Sequence, residues 1–117
     1  MPIDMPPAEF EILVAEALDT IPPELAALID NCVVLVEDDP PDDVPVDLLG
    51  LYSGTPLTER GDSYTGLPDT VQIFRRPILA ICDTDEDVVE EVRITVVHEI
   101  AHHFGIEDDR LHELGYG

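Results

Sequence analysis

The stretch from residue 83 to residue 105 limits the fold most strongly, because it is the longest helical pattern in the chain. Its apolar residues recur every three or four positions and form one stripe, made of Val88, Val92, Val96, Ile100 and Phe104, with Val89, Val97 and Ala101 beside it. Asp83 and Thr84 are both suited to cap its start, and acids follow in the first turn. A helix with one apolar face must pack against a second layer, so the pattern predicts an amphipathic helix within a folded domain.

Shorter patterns place the remaining elements around this helix. Apolar residues recur at helical spacing in four more segments, at residues 8–21, 22–30, 78–83 and 108–114. Short apolar or β-branched runs predict about three strands, at residues 32–38, 48–54 and 70–76. The first run is typical of a buried strand, and the last is expected to form an exposed edge. The expected fold is therefore a single α+β domain over residues 1–117, with its chemistry near the C-terminal end.

The charge of the chain excludes several classes of partner. The sequence has 27 acidic residues against five basic ones, all arginine, and a formal net charge of -22. Phosphate groups would be repelled, so we expect no nucleic-acid partner and no anionic membrane partner. No apolar run approaches the roughly 20 residues of a membrane helix, and the N-terminus lacks a signal core, so a cytoplasmic location is expected. Cys32 and Cys82 lie in apolar surroundings and are predicted to be buried thiols rather than a disulfide.

Two histidines lie on the side of the long helix that faces away from its apolar stripe. In the stretch "HEIAH", His98 and His102 are four positions apart and share one helical face, near Glu91 and Thr95. H-E-x-x-H is the spacing at which two imidazoles reach one zinc ion, with the intervening glutamate beside the metal. The pattern arises in only about 0.01 of shuffled chains of this composition, so it predicts a zinc site. His103 instead falls within the apolar arc and is predicted to be partly buried and hydrogen-bonded.

The third zinc ligand is expected just after the helix. A catalytic zinc needs three protein ligands if one position is to stay open for water. Gly105 is suited to end the helix in the left-handed conformation and to turn the chain back, which could bring Asp108 to the metal. A carboxylate is a competent zinc ligand and reduces the net positive charge of the site, so Asp108 is favoured. The alternatives are Asp109, His112 and Glu113.

The motif and its surroundings resemble a known family. "HEIAHHFGIED" has the form H-E-x-x-H-x-x-G-x-x-D and looks like the zinc motif of metzincin-type metallopeptidases in their aspartate variant. Together with "FRRPILAICD" and "DDRLHELGYG", it resembles a family of small bacterial minimal zincins, which are regarded as zinc metallopeptidases. The resemblance implies zinc as the cofactor, His98, His102 and Asp108 as its ligands, and Glu99 as the catalytic base. It also implies a zincin-like sheet packed on the motif helix.

Three functions remain open from the sequence. The resemblance implies a zinc-dependent metallopeptidase that hydrolyses peptides or proteins, with a partner protein completing its cleft as a further expectation. The only methionines are Met1 and Met5, so the residues after the motif contain no methionine turn of the metzincin type. The alternative is therefore a catalytically inactive zincin-like module that binds metal or protein, or a structural zinc that holds the C-terminal segment in place.

An extended substrate is expected to pair with an exposed edge strand, for which residues 70–76 are the favoured segment. Arg75 and Arg76 would then either contact the substrate or protect the strand edge from unwanted pairing. The oxyanion of the tetrahedral intermediate needs a hydrogen-bond donor in addition to zinc. The candidates for this donor are Tyr64, Arg110 and Tyr116.

Overall fold

The computed structural model describes residues 4–21, 23–27, 29, 31–61, 66–106 and 109. In chain order its elements are α1 (Pro7–Asp19), α2 (Pro23–Ala26), β1 (Cys32–Glu37), β2 (Gly50–Ser53), a 3-10 turn (Leu57–Glu59), β3 (Asp69–Phe74), α3 (Arg75–Ala80) and α4 (Asp85–His103). The expected α+β fold is confirmed. The short helix predicted over residues 108–114 lies outside the described residues, apart from the single position Asp109.

The three strands form one mixed sheet in the order β1-β3-β2. β1 runs parallel to β3, with Val34 opposite Val71, and β2 runs antiparallel to β3, with Tyr52 opposite the same residue. β3 is therefore the central strand, and the prediction that residues 70–76 form an edge is wrong. The order of strands in a sheet depends on contacts between segments that are far apart in the chain. The residue pattern of β3 therefore cannot show whether the strand is central or at an edge. The two edges are β1 and β2.

The two arginines after β3 also differ from expectation. Arg75 begins α3, where its Nε donates to Asp38 Oδ1 at 2.9 Å and its Nη1 donates to the Met5 carbonyl at 2.8 Å. Arg76 pairs with Asp39, which follows Asp38 in the acidic loop after β1. The arginines therefore anchor the start of α3 to that loop and the N-terminal segment, and they do not protect a strand edge.

β1 is only half buried, which corrects the prediction of a buried strand. Val33 and Leu35 are 43% and 40% exposed, whereas Val34 and Val36 on the other face pack against the core. The alternation follows from the pleat of a strand whose sheet is covered by helices on one face. Cys32 is half-buried and Cys82 is buried, and both thiols are free as predicted, with burial raising the pKa of Cys32 to about 11.

α4 has the apolar stripe that its sequence predicts. Val88, Val92, Val96 and Ile100 are buried and pack with α1 and the sheet, although the neighbouring Val89 is 48% exposed. Thr84 caps the helix, because its hydroxyl accepts from the Asp87 amide while the Asp87 carboxylate accepts from the Thr84 amide. This packing fixes one side of α4 on the core and leaves its other side next to β2. No helix within the described ranges has both the length and the apolar character needed to cross a membrane.

Candidate metal centre

The predicted motif residues come together on the face of α4 that borders β2. The ligand atoms of His98, Glu99 and His102 all lie within 4.8 Å of one another. The two imidazole Nε2 atoms are 3.2 Å apart, and Glu99 Oε1 lies 3.8 Å from His98 Nε2. Both histidines are half-buried, and Glu99 is only 8% exposed. The helix therefore presents two nitrogen donors and a carboxylate at one point.

This donor set fits a zinc ion. Two nitrogens bound to tetrahedral zinc at 2.0–2.1 Å are separated by about 3.3 Å, close to the spacing of the two Nε2 atoms. The imidazole rings meet at an interplanar angle of 75°, with their centroids 4.9 Å apart. Neutral imidazole and carboxylate are both ligand types that zinc accepts, and the half-buried position leaves a path for water and substrate. The spacing of the two nitrogen atoms therefore matches that of two ligands of one zinc ion.

The chain turns back immediately after the second histidine. Gly105 has φ 82°, which confirms the predicted left-handed end of the helix. Its amide donates to the His102 carbonyl at 2.9 Å, and the Ile106 amide donates to the Ala101 carbonyl at 2.9 Å, which together form a Schellman motif. A Cβ at Gly105 would lie 2.2 Å from Thr58 Oγ1, so the 3-10 turn that contains Thr58 also leaves no room for a side chain at position 105.

The proposed third ligand lies beyond the part of the chain whose structure is described. That holds for Asp108 and for two of its alternatives, His112 and Glu113, while the other alternative, Asp109, is exposed. The predicted oxyanion donors also fall outside the described residues, namely Tyr64, Arg110 and Tyr116. The assignment of these residues therefore remains a prediction.

A buried polar network, which no sequence pattern predicts, lies next to the last turn of α4. Its centre is Asp69, which is fully buried at the start of β3. The Asp69 carboxylate accepts from His103 Nδ1 at 2.8 Å and the Thr55 amide at 3.0 Å, and it pairs with Arg60 Nη2 at 3.1 Å. The Tyr52 hydroxyl is the fourth donor. We call these five residues the Asp69 network.

The Asp69 network keeps its carboxylate ionised. Burial by itself raises the pKa of Asp69, but hydrogen bonds from Tyr52, His103, the Thr55 amide and Arg60 outweigh it and hold the pKa below its usual range. Burial and the hydrogen bond to Asp69 raise the pKa of Tyr52, which therefore remains a donor. The prediction for His103 is confirmed, because it is fully buried and hydrogen-bonded. The position of His103 within the apolar arc signalled that it needed a buried acceptor, but nothing in the sequence identified Asp69.

The network also reaches the face of α4 that carries His98 and His102. The Tyr52 ring stacks near the His102 ring, with centroids 6.3 Å apart and an interplanar angle of 24°. His103 is the residue after His102, so its bond to Asp69 ties the last turn of α4 to the central strand. The network thereby joins β2, β3, the loop after β2 and α4 directly behind the second histidine.

A groove of about 560 Å³ runs beside His98 and Glu99. One wall comes from α4 and the other from the segment that leads into β2, with the lining residues Pro45, Asp47, Leu48, Leu49, Gly50, Glu91, Ile94, Thr95, His98 and Glu99. Glu91 and Thr95 belong to it, as the helical spacing predicts. The motif carboxylate therefore faces a space that can admit a ligand.

Gly50 allows β2 to approach α4 closely at this groove. A Cβ on Gly50 would lie 2.8 Å from Thr95 Cγ2, 3.1 Å from the Gln72 carbonyl oxygen and 3.2 Å from Glu99 Cγ. Contacts this short would force β2 and α4 apart or displace the Glu99 side chain. The sequence pattern places Gly50 in a strand but does not predict this contact.

Gly50→Ala is therefore expected to destabilise the fold by about 1–3 kcal/mol, because the added methyl group overpacks the contact between the strand and the helix. Urea unfolding measures this change. Gly61→Ala is the matched control, because a Cβ there would meet no described atom within 4 Å. Equal stability of the two variants would show that β2 and α4 can move apart at Gly50 without loss of folding free energy.

The family of the chain follows from its sequence profile together with this geometry. The profile of the zincin-like metallopeptidase family matches residues 29–117. The matched range includes all three strands and α4, and with them the groove and the motif residues. No curated protein matches the chain significantly. The chain therefore belongs to the zincin-like metallopeptidase family, as a minimal zincin in which the H-E-x-x-H helix packs on a small mixed sheet.

Proposed function

We propose that the protein is a zinc-dependent peptidase. The observation that carries this proposal is the position of Glu99, which lies beside two histidines whose nitrogen atoms have the spacing of zinc ligands and which also lines a groove. A zinc ion with a purely structural role does not require a carboxylate that faces a groove, whereas hydrolysis of a peptide requires a general base at that place. Membership of the zincin-like metallopeptidase family agrees with this reading.

His98, His102 and Asp108 would hold the zinc in this proposal. The bound ion supplies Lewis acidity, which lowers the pKa of water and polarises a peptide carbonyl. Glu99 takes a proton from the attacking water at its carboxylate and passes it to the leaving amine. The Asp69 network orients the end of α4 for this work, because it holds His103 next to the second ligand.

The substrate would bind as an extended strand along the edge of β2 that faces away from β3. Among the described strands β2 pairs with β3 alone, and Gly50 and the two residues before it line the groove next to Glu99. A peptide added to this edge would gain main-chain hydrogen bonds and would pass the motif residues. This placement replaces the earlier expectation of an edge at residues 70–76.

Zinc content tests the metal site. The purified protein is expected to hold about one zinc per chain, and His98→Ala and His102→Ala should each lose most of it, because two ligands remain at most. Elemental analysis after gel filtration gives the stoichiometry. Glu86→Gln is the control, because Glu86 is exposed in the first turn of α4 and lies far from the motif residues, so this variant should keep its zinc. Undiminished zinc in both alanine variants would contradict the proposed ligands.

Cleavage of an unbiased peptide library, with and without a chelator, tests the activity. A peptidase of this type cuts a subset of peptides, and removal of zinc stops the reaction. If the protein binds zinc but cleaves no peptide under either condition, the inactive metal- or protein-binding module is the correct function.

A further inference from the structure

The groove beside Glu99 combines apolar walls with two additional acids. Leu48 and Ile94 contribute apolar surface from its two sides. Besides the motif residues, the charged side chains in its lining are Asp47 and Glu91, one from each wall. No lysine or arginine is found among the described residues that line the groove. The described part of the groove is therefore amphipathic, with a carboxylate on each of its two walls.

The ion pairs of the arginines in the described part of the chain do not include Asp47 or Glu91. Arg60 pairs with Asp69, Arg75 with Asp38, Arg76 with Asp39, and Arg93 with Glu90. None of these ion pairs involves Asp47 or Glu91. With a formal net charge of -22, the whole protein adds to the negative potential in the groove. A ligand that brings positive charge would therefore be attracted to it.

Lysine and arginine side chains match this groove with both their apolar stem and their charged head. Each has an apolar stem that can lie along Leu48 and Ile94, and a charged head that can pair with Asp47 or Glu91. Glu91 precedes His98 by seven residues, which is about 10 Å along a helix. An extended peptide covers that distance in about three residues.

We infer, on the basis of the proposed peptidase function, that the protein selects peptides with a lysine or arginine within about three residues of the cleaved bond. A glutamate at that position would be repelled by Asp47 and Glu91. An apolar residue would cover the two carboxylates without pairing them, which carries a desolvation cost. The order of preference is therefore basic, then neutral, then acidic.

Peptides that differ at one position test this order. From a cleaved library peptide, a series is made with lysine, arginine, glutamine or glutamate at each of the three positions on either side of the bond. At one of these positions the basic peptides should have kcat/KM about tenfold above the glutamine peptide. Raising the ionic strength from about 0.01 M to about 1 M, which shortens the Debye length from about 30 Å to about 3 Å, should reduce that preference.

Two variants locate the preference in the groove. Asp47→Asn with Glu91→Gln removes both charges at nearly constant shape and should bring the ratio between lysine and glutamine peptides close to one. Glu11→Gln with Glu16→Gln removes the same charge from exposed positions on α1 and should leave the ratio unchanged. If both double variants lose the preference equally, it arises from the net charge and the assignment to the groove is overturned.

Binding separates this inference from the proposed activity. The zinc-loaded Glu99→Gln protein is titrated with two fluorescent peptides that have the same uncharged sequence except for a lysine or a glutamate at one position, so that this test needs no cleaved peptide. Tighter binding of the lysine peptide supports the inference even if the unaltered protein cuts nothing, in which case only the peptidase function fails. Cleavage with equal kcat/KM for basic and acidic peptides, or with a preference for acidic ones, overturns the inference and leaves the peptidase function standing.

Discussion

Asp69→Ala is expected to lower the free energy of unfolding by about 3–5 kcal/mol, because it removes one partner of a buried ion pair. Arg60, whose side chain is 10% exposed, would lose the carboxylate that its Nη2 contacts, and His103 Nδ1 would lose the carboxylate to which it donates. The Thr55 amide and the Tyr52 hydroxyl would lose the same acceptor. Chemical denaturation followed by circular dichroism measures the change.

Asp39→Ala is the control for this experiment. Asp39 also pairs with an arginine, Arg76, but both side chains are more than half exposed. An exposed pair of this kind contributes about 0–1 kcal/mol, so the control protein should remain close to the unaltered one. An Asp69→Ala protein as stable as the Asp39→Ala protein would show that the buried network contributes no more than a surface ion pair.

The pH dependence of stability provides a second measurement on the same variant. The pKa of Asp69 is lower in the folded protein than its unfolded value of about 3.9. Its contribution to stability is therefore fully present above that unfolded pKa, and it is lost as the pH falls through the folded pKa. Below about pH 4 the unaltered protein should lose stability more steeply than Asp69→Ala, which lacks this group.

Glu99→Gln is expected to reduce kcat by about 10²–10⁴-fold while the protein keeps its zinc, if the proposed peptidase function is correct. Glutamine has nearly the same shape as glutamate, so the contact with Gly50 and the position beside His98 should persist. It cannot accept the proton of the attacking water, which is the role we assign to Glu99. Single-turnover cleavage of a library peptide and elemental analysis of the same sample measure the two properties.

Glu86→Gln is the matched control for Glu99→Gln. Glu86 is exposed in the first turn of α4, 13 residues before Glu99 and therefore about 20 Å away along the helix axis. The control should keep both its zinc and its kcat. If Glu99→Gln cleaves as fast as Glu86→Gln, another group must act as the base. Loss of zinc from Glu99→Gln would instead indicate that Glu99 holds the metal.

The structure also shows how far the candidate site could be predicted. The positions of His98, Glu99 and His102 follow from helical spacing alone, because residues four apart lie on one face wherever the helix is placed. The left-handed turn at Gly105 was predictable for the same local reason. The partner of His103 was not, because Asp69 lies 34 residues away at the start of a strand and looks like an ordinary turn residue after Pro68.

The errors in the fold prediction have the same origin. The strand segments were recognised from short apolar runs, but the order β1-β3-β2 depends on loop crossings that no run encodes. Treating β3 as an edge gave Arg75 and Arg76 a surface role, whereas they pair with acids that follow β1. The half-exposed state of β1 follows from its place at the edge of a sheet that helices cover on one face.

By itself, the sequence determined the features that depend on neighbours within one helix turn or one strand: the apolar stripe of α4, a cap at Asp83 or Thr84, the paired histidines and the turn at Gly105. The tertiary structure decided which strand is central, which carboxylate receives His103, and how closely Gly50 allows β2 to approach Glu99. These last features join segments that are far apart in the chain, and they are settled only when burial of apolar surface brings those segments into contact.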